Sequence, residues 1–174
     1  MTDKPTYQER LRSMLHPEKP PAHPQRDEPG TEPAEASCEA FGYLRGIRDQ
    51  ATSLEFRFRN GNSMFFPYGL MGIWQYNPSE GLILKFNADL LYLVLIRGSN
   101  LDKPLKEGAI NLTHAGLQRH RVLWIREMSK EEISQVGETG PTIDSIEVTG
   151  FESAAEVKEW ISKHAPAFLE CGST

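Results

Sequence analysis

The sequence predicts a mainly β protein of the α+β class: a small antiparallel meander forming a bent sheet or partly open barrel, capped by a C-terminal helix. Three observations carry that expectation. Short apolar segments recur through the middle of the chain, about 8–12 residues apart, with turn residues between them. One of them, Leu90–Ile96, is apolar at every position, so alternate side chains of a strand there would need cover on both faces. The C-terminal stretch carries the apolar spacing of a single amphipathic helix behind an N-capping signal.

Seven of the twelve prolines fall in residues 1–37, where few side chains could be buried to offset ordering entropy, so that stretch reads as a disordered arm. Within it Thr6 and Glu9 have capping-box spacing, and Tyr7, Leu11, Met14 and Leu15 share a face, the pattern of a short helix over 6–15. The β-domain is expected over 38–150 and the capping helix over 151–168. Residues 39–48, EAFGYLRGIR, fit a strand or a helix, and Gly42 and Gly46 favour the strand. LEFRFR alternates cleanly, with Leu54, Phe56 and Phe58 on one face and Glu55, Arg57 and Arg59 on the other. Asn60-Gly61 predicts a two-residue hairpin turn into SMFFPY, where Pro67 marks an edge or a strand end.

Gly69 to Gly72 turns the chain into IWQY, NPSEG is the next turn, and LILKF and LLYLVLIR follow as strands. A helix is expected from about Asp102, including Leu105 and Ile110 or Leu112, with Gly116 as its stop. HRVLWIRE and IDSIEV read as the last strands. Ser153 and Glu156 have capping-box spacing ahead of Val157, Trp160, Ile161, His164 and Phe168 on one face, and Pro166 should end the helix before Phe168. This helix is the natural cover for the second face of Leu90–Ile96.

The net charge of −5 is unevenly spread. Residues 38–127 hold 11 basic and 8 acidic groups, eight of the basic ones Arg, whereas residues 128–174 hold 3 basic and 9 acidic. That sum argues against DNA as a partner while leaving room for a small anion-facing patch. No stretch is long and apolar enough to span a membrane, and the charged opening residues lack the apolar core of a secretory signal, so a soluble cytoplasmic protein is expected. Cys38 and Cys171 are the only cysteines; two isolated thiols in such a chain are more often reduced than joined in a disulfide, and a zinc site is less favoured still, since neither has a CxxC or nearby histidine partner.

Nothing in the sequence has the spacing of a catalytic or metal site: there is no nucleophile elbow, phosphate-binding loop, dinucleotide fingerprint or paired-histidine motif, and no cofactor is expected. Two groups of residues stand out as binding candidates. Phe65, Phe66, Tyr68, Trp74 and Tyr76 crowd a dozen positions, and because neighbours in a strand point oppositely, some of these rings must lie outside the core as a stacking platform or subunit contact. Trp74 and Tyr76 are the site candidates among them. The second group is cationic: Arg57 and Arg59 on one strand face, Arg97 at the end of the longest strand, and Arg119, His120 and Arg121 at the start of another. If the sheet closes, these could converge into a rim for phosphate or carboxylate.

In two places residues 54–101 resemble the Sm family of small-barrel, RNA-associated proteins. FRNG followed by LMGIWQYN is similar to its first motif, a strand, a tight hairpin and a bent strand. IRGSNL is similar to its second, in which an Arg-Gly pair follows an apolar strand. The resemblance implies ring assembly and contact with single-stranded RNA through the pair, here Arg97 and Gly98. PY, NPSEGL, IRGSNL and RHRVLWIRE together also look like uncharacterised bacterial proteins, a likeness that implies no activity. The expected function is a non-enzymatic binding or assembly module that self-associates or docks a protein partner. Its alternatives are an Sm-like RNA binder, or an enzyme acting on a small anion with His120 as acid or base.

Overall fold

The computed structural model describes residues 34–170; the expected arm helix over 6–15, most of the proline-rich arm and Cys171 lie outside them. Among the described residues nine strands form two sheets. Sheet A has the order β1 (Glu35–Ser37), β2 (Phe41–Leu44), β8 (Val122–Arg126), β3 (Ser53–Arg57) and β4 (Ser63–Pro67). Sheet B has the order β5 (Met71–Asn77), β6 (Gly81–Asn87), β7 (Leu91–Ser99) and β9 (Thr142–Phe151). Neither closes into a barrel, and sheet A is not a plain meander, because β8 inserts between β2 and β3 and runs parallel to β3. The strand order of a parallel insertion depends on partners far apart in the chain, which spacing alone does not encode.

The β3–β4 hairpin turns through three residues rather than the two expected at Asn60-Gly61. Phe58 N–H donates to Asn62 O at 2.9 Å and Gly61 N–H to Phe58 O at 3.0 Å, with Gly61 left-handed at φ 85°. This is a type I turn followed by a glycine bulge, and Asn60 serves it by accepting Asn62 N–H on its carboxamide oxygen at 2.9 Å. At the β5–β6 turn Asn77 accepts Ser79 N–H at 2.9 Å. Gly81 there has φ 113°, and a Cβ on it would sit 2.1 Å from Ile96 O, so only glycine fits.

The helix expected over 102–116 is absent; only a π-helical turn, Leu112–Gly116, forms. Asn100, Gly108 and Ala109 all have positive φ, which a right-handed helix cannot accommodate. A helix not foreseen, α1 (Lys130–Val136), is started by a full capping box between Ser129 and Glu132. The C-terminal helix α2 (Ala154–His164) begins where expected, with Ser153 Oγ accepting Glu156 N–H. The Glu156 carboxylate, however, receives the N–H of Glu152 rather than of Ser153. Pro166 separates α2 from a last turn, α3 (Ala167–Glu170), which buries Phe168.

Two apolar layers result. The inner one fills the space between the sheets with Phe41, Leu54, Phe56 and Ile125 from sheet A and Leu82, Leu84, Phe86, Val94 and Ile96 from sheet B. Phe66 lies at its centre, stacked on Phe86 at 4.5 Å and edge-on to Phe56 at 5.8 Å. The outer layer lies on the far side of sheet B, where Leu93 and Leu95 of β7 and Ile83 of β6 meet Phe151, Val157, Ala165 and Phe168. Strand β7 is therefore buried on both sides, as its sequence requires, and α2 with α3 supplies the second cover. Trp160 and Ile161 are only half-buried there, so the burial is carried more by Val157 and Phe168.

Candidate interaction surface

The chain passes from sheet A to sheet B through a short 3₁₀ turn, Tyr68–Leu70, between β4 and β5. Because β4 ends sheet A and β5 ends sheet B, both sheets end on a strand without a second strand partner in one continuous segment, with α3 reaching β5. The other two margins differ. Strand β1 is three residues long, and the first half of the free edge of β9 is occupied by Glu127 and Met128. Ile146 N–H donates to Glu127 Oε1 at 2.8 Å and Met128 N–H to Ile143 O at 2.9 Å.

The same segment carries Met64, Phe65, Leu70 and Ile73, four of the six exposed large apolar side chains among the described residues. Phe65 is 65% and Ile73 79% exposed, because each alternates with an inward neighbour: Phe66 enters the inner core and Trp74 packs at its border. Phe65 joins the outer face of sheet A, opposite Glu55 and one strand from Trp124. There Arg57 lies 4.5 Å over the Trp124 ring while its Nη2 approaches Glu55 Oε2 to 2.7 Å. Trp124 itself lies flat across Gly42, where a Cβ would come within 2.2 Å of the indole nitrogen.

The remaining candidate residues fall in several places. Arg59 sits in the hairpin loop, its backbone N–H donating to Glu127 Oε2 at 2.9 Å and its Nε 3.7 Å from the same oxygen. Trp74 and Tyr76 are half-buried on the inner side of β5. Tyr76 donates to Asp102 Oδ1 at 3.0 Å, and burial, followed by the Asp102 carboxylate, pushes its phenol up to about 12. Arg97 is on the outer face of sheet B, pairing Glu80 at 3.0 Å and donating to His164 O at the end of α2 at 2.8 Å. Gly98 lies at a β-bulge, where a Cβ would meet Thr142 O at 2.0 Å.

Arg119, His120 and Arg121 adjoin the loop after β2. Leu44 N–H donates to Arg121 O at 2.8 Å and Ala51 N–H to His120 O at 2.7 Å, which places Arg45 and Arg48 of that loop beside them. Arg121 is buried and spends its guanidinium on the carbonyls of Leu44 and Arg45. His120, left-handed at φ 54°, stacks on Tyr68 at 4.5 Å. Arg119 and Arg48 are exposed and carry no side-chain partner among the described residues.

Sequence spacing suggested one rim; the arginines instead occupy the outer face of sheet A, the outer face of sheet B and the Arg119–Arg121 corner. No hydrogen bond, ring contact or ion pair joins Arg97 to His120 among the described residues. No group of three or more His, Cys, Asp or Glu side chains is placed to hold a metal ion among those residues, and none of their helices is long and apolar enough to cross a membrane. Cys38 is half-buried, its thiol pushed up by burial while donating weakly to Phe41 O. Trp124 was not singled out in the sequence, since only the parallel β3–β8 pairing reveals that Arg57 covers it. The chain matches no known protein family, curated protein or solved structure in these comparisons.

Proposed function

We propose that this protein is a binding and assembly module whose contact surface is the β4–β5 margin, with a second copy of the chain as its first partner. The single observation behind this reading is the coincidence, in one segment, of two terminal strands of the sheets with most of the exposed large apolar side chains among the described residues. Scattered exposed apolar residues are ordinary, but exposed apolar side chains gathered along open strand edges favour pairing with another strand or an apolar partner face. Pro67 and the β-bulge between Met71 and Trp74 interrupt the edge at the corner, so pairing would use a short run on either side.

A second reading, single-stranded RNA binding, is favoured by Arg48 and Arg119, exposed and without a side-chain partner among the described residues, in the same corner as Arg45 and Arg121, with Ile47 73% exposed in the same loop. It places RNA at this corner rather than at Arg97, whose guanidinium is already held by Glu80 and His164. One experiment addresses both. Light scattering over a range of concentrations is expected to give a mass above that of the monomer, returning to the monomer value for Phe65→Ser. A monomer at every concentration would remove the assembly reading. Short RNA titrated into the same samples would favour the second reading only if binding weakens steeply with salt and with Arg119→Ala.

A further inference from the structure

Cover of the outer face of sheet B is incomplete. Strands β7 and β9 lie beneath α2, and α3 reaches β5, but on the β5–β6 side a half-open groove of about 200 Å³ remains between α2 and the sheet. Its apolar lining comes from Ile73, Ile83, Leu93, Val157 and Ile161. Two polar side chains from adjacent strands also line it, Gln75 on β5 and Lys85 on β6. Pairing sets Gln75 opposite Ile83 and Lys85 opposite Leu93, so both project to the helix side of the sheet. Neither side chain has a hydrogen-bond or ion-pair partner among the described residues, and no carboxylate lines the groove.

We propose that this groove binds a short aliphatic carboxylate, its tail between Ile83, Leu93, Val157 and Ile161 and its headgroup on Lys85 and Gln75. The charge decides the class. Lys85, half-buried and without an ion-pair partner among the described residues, offers a cation at the groove wall, and an anion that brings its own apolar surface would meet both that charge and the apolar lining. The amide of Gln75 supplies a second donor for the other carboxylate oxygen. The volume lies below the roughly 300–1,000 Å³ of sites for drug-sized ligands, which limits the tail to a short chain. Such a ligand would also cover Ile73, whose exposure is otherwise the highest of any large apolar side chain among the described residues.

This site goes beyond the assembly reading; it shares Ile73 with that margin and is told apart from it by Lys85, which the margin does not use. Octanoate, octan-1-ol and octylammonium are titrated into the full-length protein by calorimetry. Octanoate is expected to saturate a single site, octanol to bind more weakly, and octylammonium not to bind. Lys85→Gln should weaken octanoate roughly tenfold or more, the loss typical of a charge-assisted hydrogen bond, while Lys85→Arg retains most of it. Because Lys85 and Ile73 are not core residues, Lys85→Gln and Ile73→Ser should leave the melting temperature near that of the parent. Absence of saturable binding, or equal affinity of parent and Lys85→Gln for octanoate, would overturn the proposal. So would a finding that Lys85→Gln leaves octanoate binding intact yet reduces the mass in solution, which would assign the groove to a second copy. Phe65→Ser serves as the control, since it should alter assembly without altering octanoate affinity.

Discussion

Glu55 shows how single residues on the outer face of sheet A are held. Arg57 Nε donates to its Oε2 at 2.8 Å and Ser63 Oγ to its Oε1 at 2.8 Å, and these bonds, Arg57 first, keep the carboxyl below its ordinary value of 4.5. A carboxylate whose folded pKa is depressed adds stability that is fully present above its unfolded pKa and is lost as pH falls through the folded one. Glu55→Gln should therefore lower stability at neutral pH, by less than about 1 kcal/mol because the pair is partly solvated. It should also flatten the decline in stability below pH 4.5. Urea unfolding across that range measures both, and an unchanged acid limb would show that the pair is energetically idle. The alternation in LEFRFR made the outward direction of Glu55 and Arg57 legible from sequence. The partners of the other arginines were not, because Glu127, Glu80 and the carbonyls of Leu44 and Arg45 reach them only through tertiary contacts.

Among the elements, β7 was the most legible, since a run of apolar residues with no polar alternate demands two covers and receives them. The start of α2 was legible for a similarly local reason, its cap. The same spacing at Ser129 and Glu132 announced α1, whose single short apolar face, Ile133 and Val136, offered too little periodicity to draw notice. The segment 102–116 misled because leucine spacing there imitates a helix while Asn100, Gly108 and Ala109 take left-handed conformations. If the outer layer on β7 is a packed core, Leu95→Ala should cost about 2–5 kcal/mol in urea unfolding, since Leu95 is 1% exposed. A loss under about 1 kcal/mol would mean that α2 rests on the sheet loosely. Trp160→Ala, at a half-buried position, should cost less than Leu95→Ala.

For the molecule as a whole, strand content and the covered sheet could be read from the sequence, but the division into two sheets could not. Turn signals place strands along the chain, yet the pairing of β8 with both β2 and β3, and of β7 with β9, joins distant segments whose local composition is compatible with many partners. The consequence for function is that β4 and β5, neighbours in the chain, both end their sheets, a property no local pattern reveals. The most direct measurement is amide hydrogen exchange on the full-length protein at low and high concentration. Exchange in residues 63–67 and 71–77 should slow as concentration rises, in step with the mass in solution, while Leu93–Ile96 stays protected throughout. Exchange in those two strands that does not change with concentration, in a protein whose mass rises or stays that of one chain, would contradict assembly through this margin.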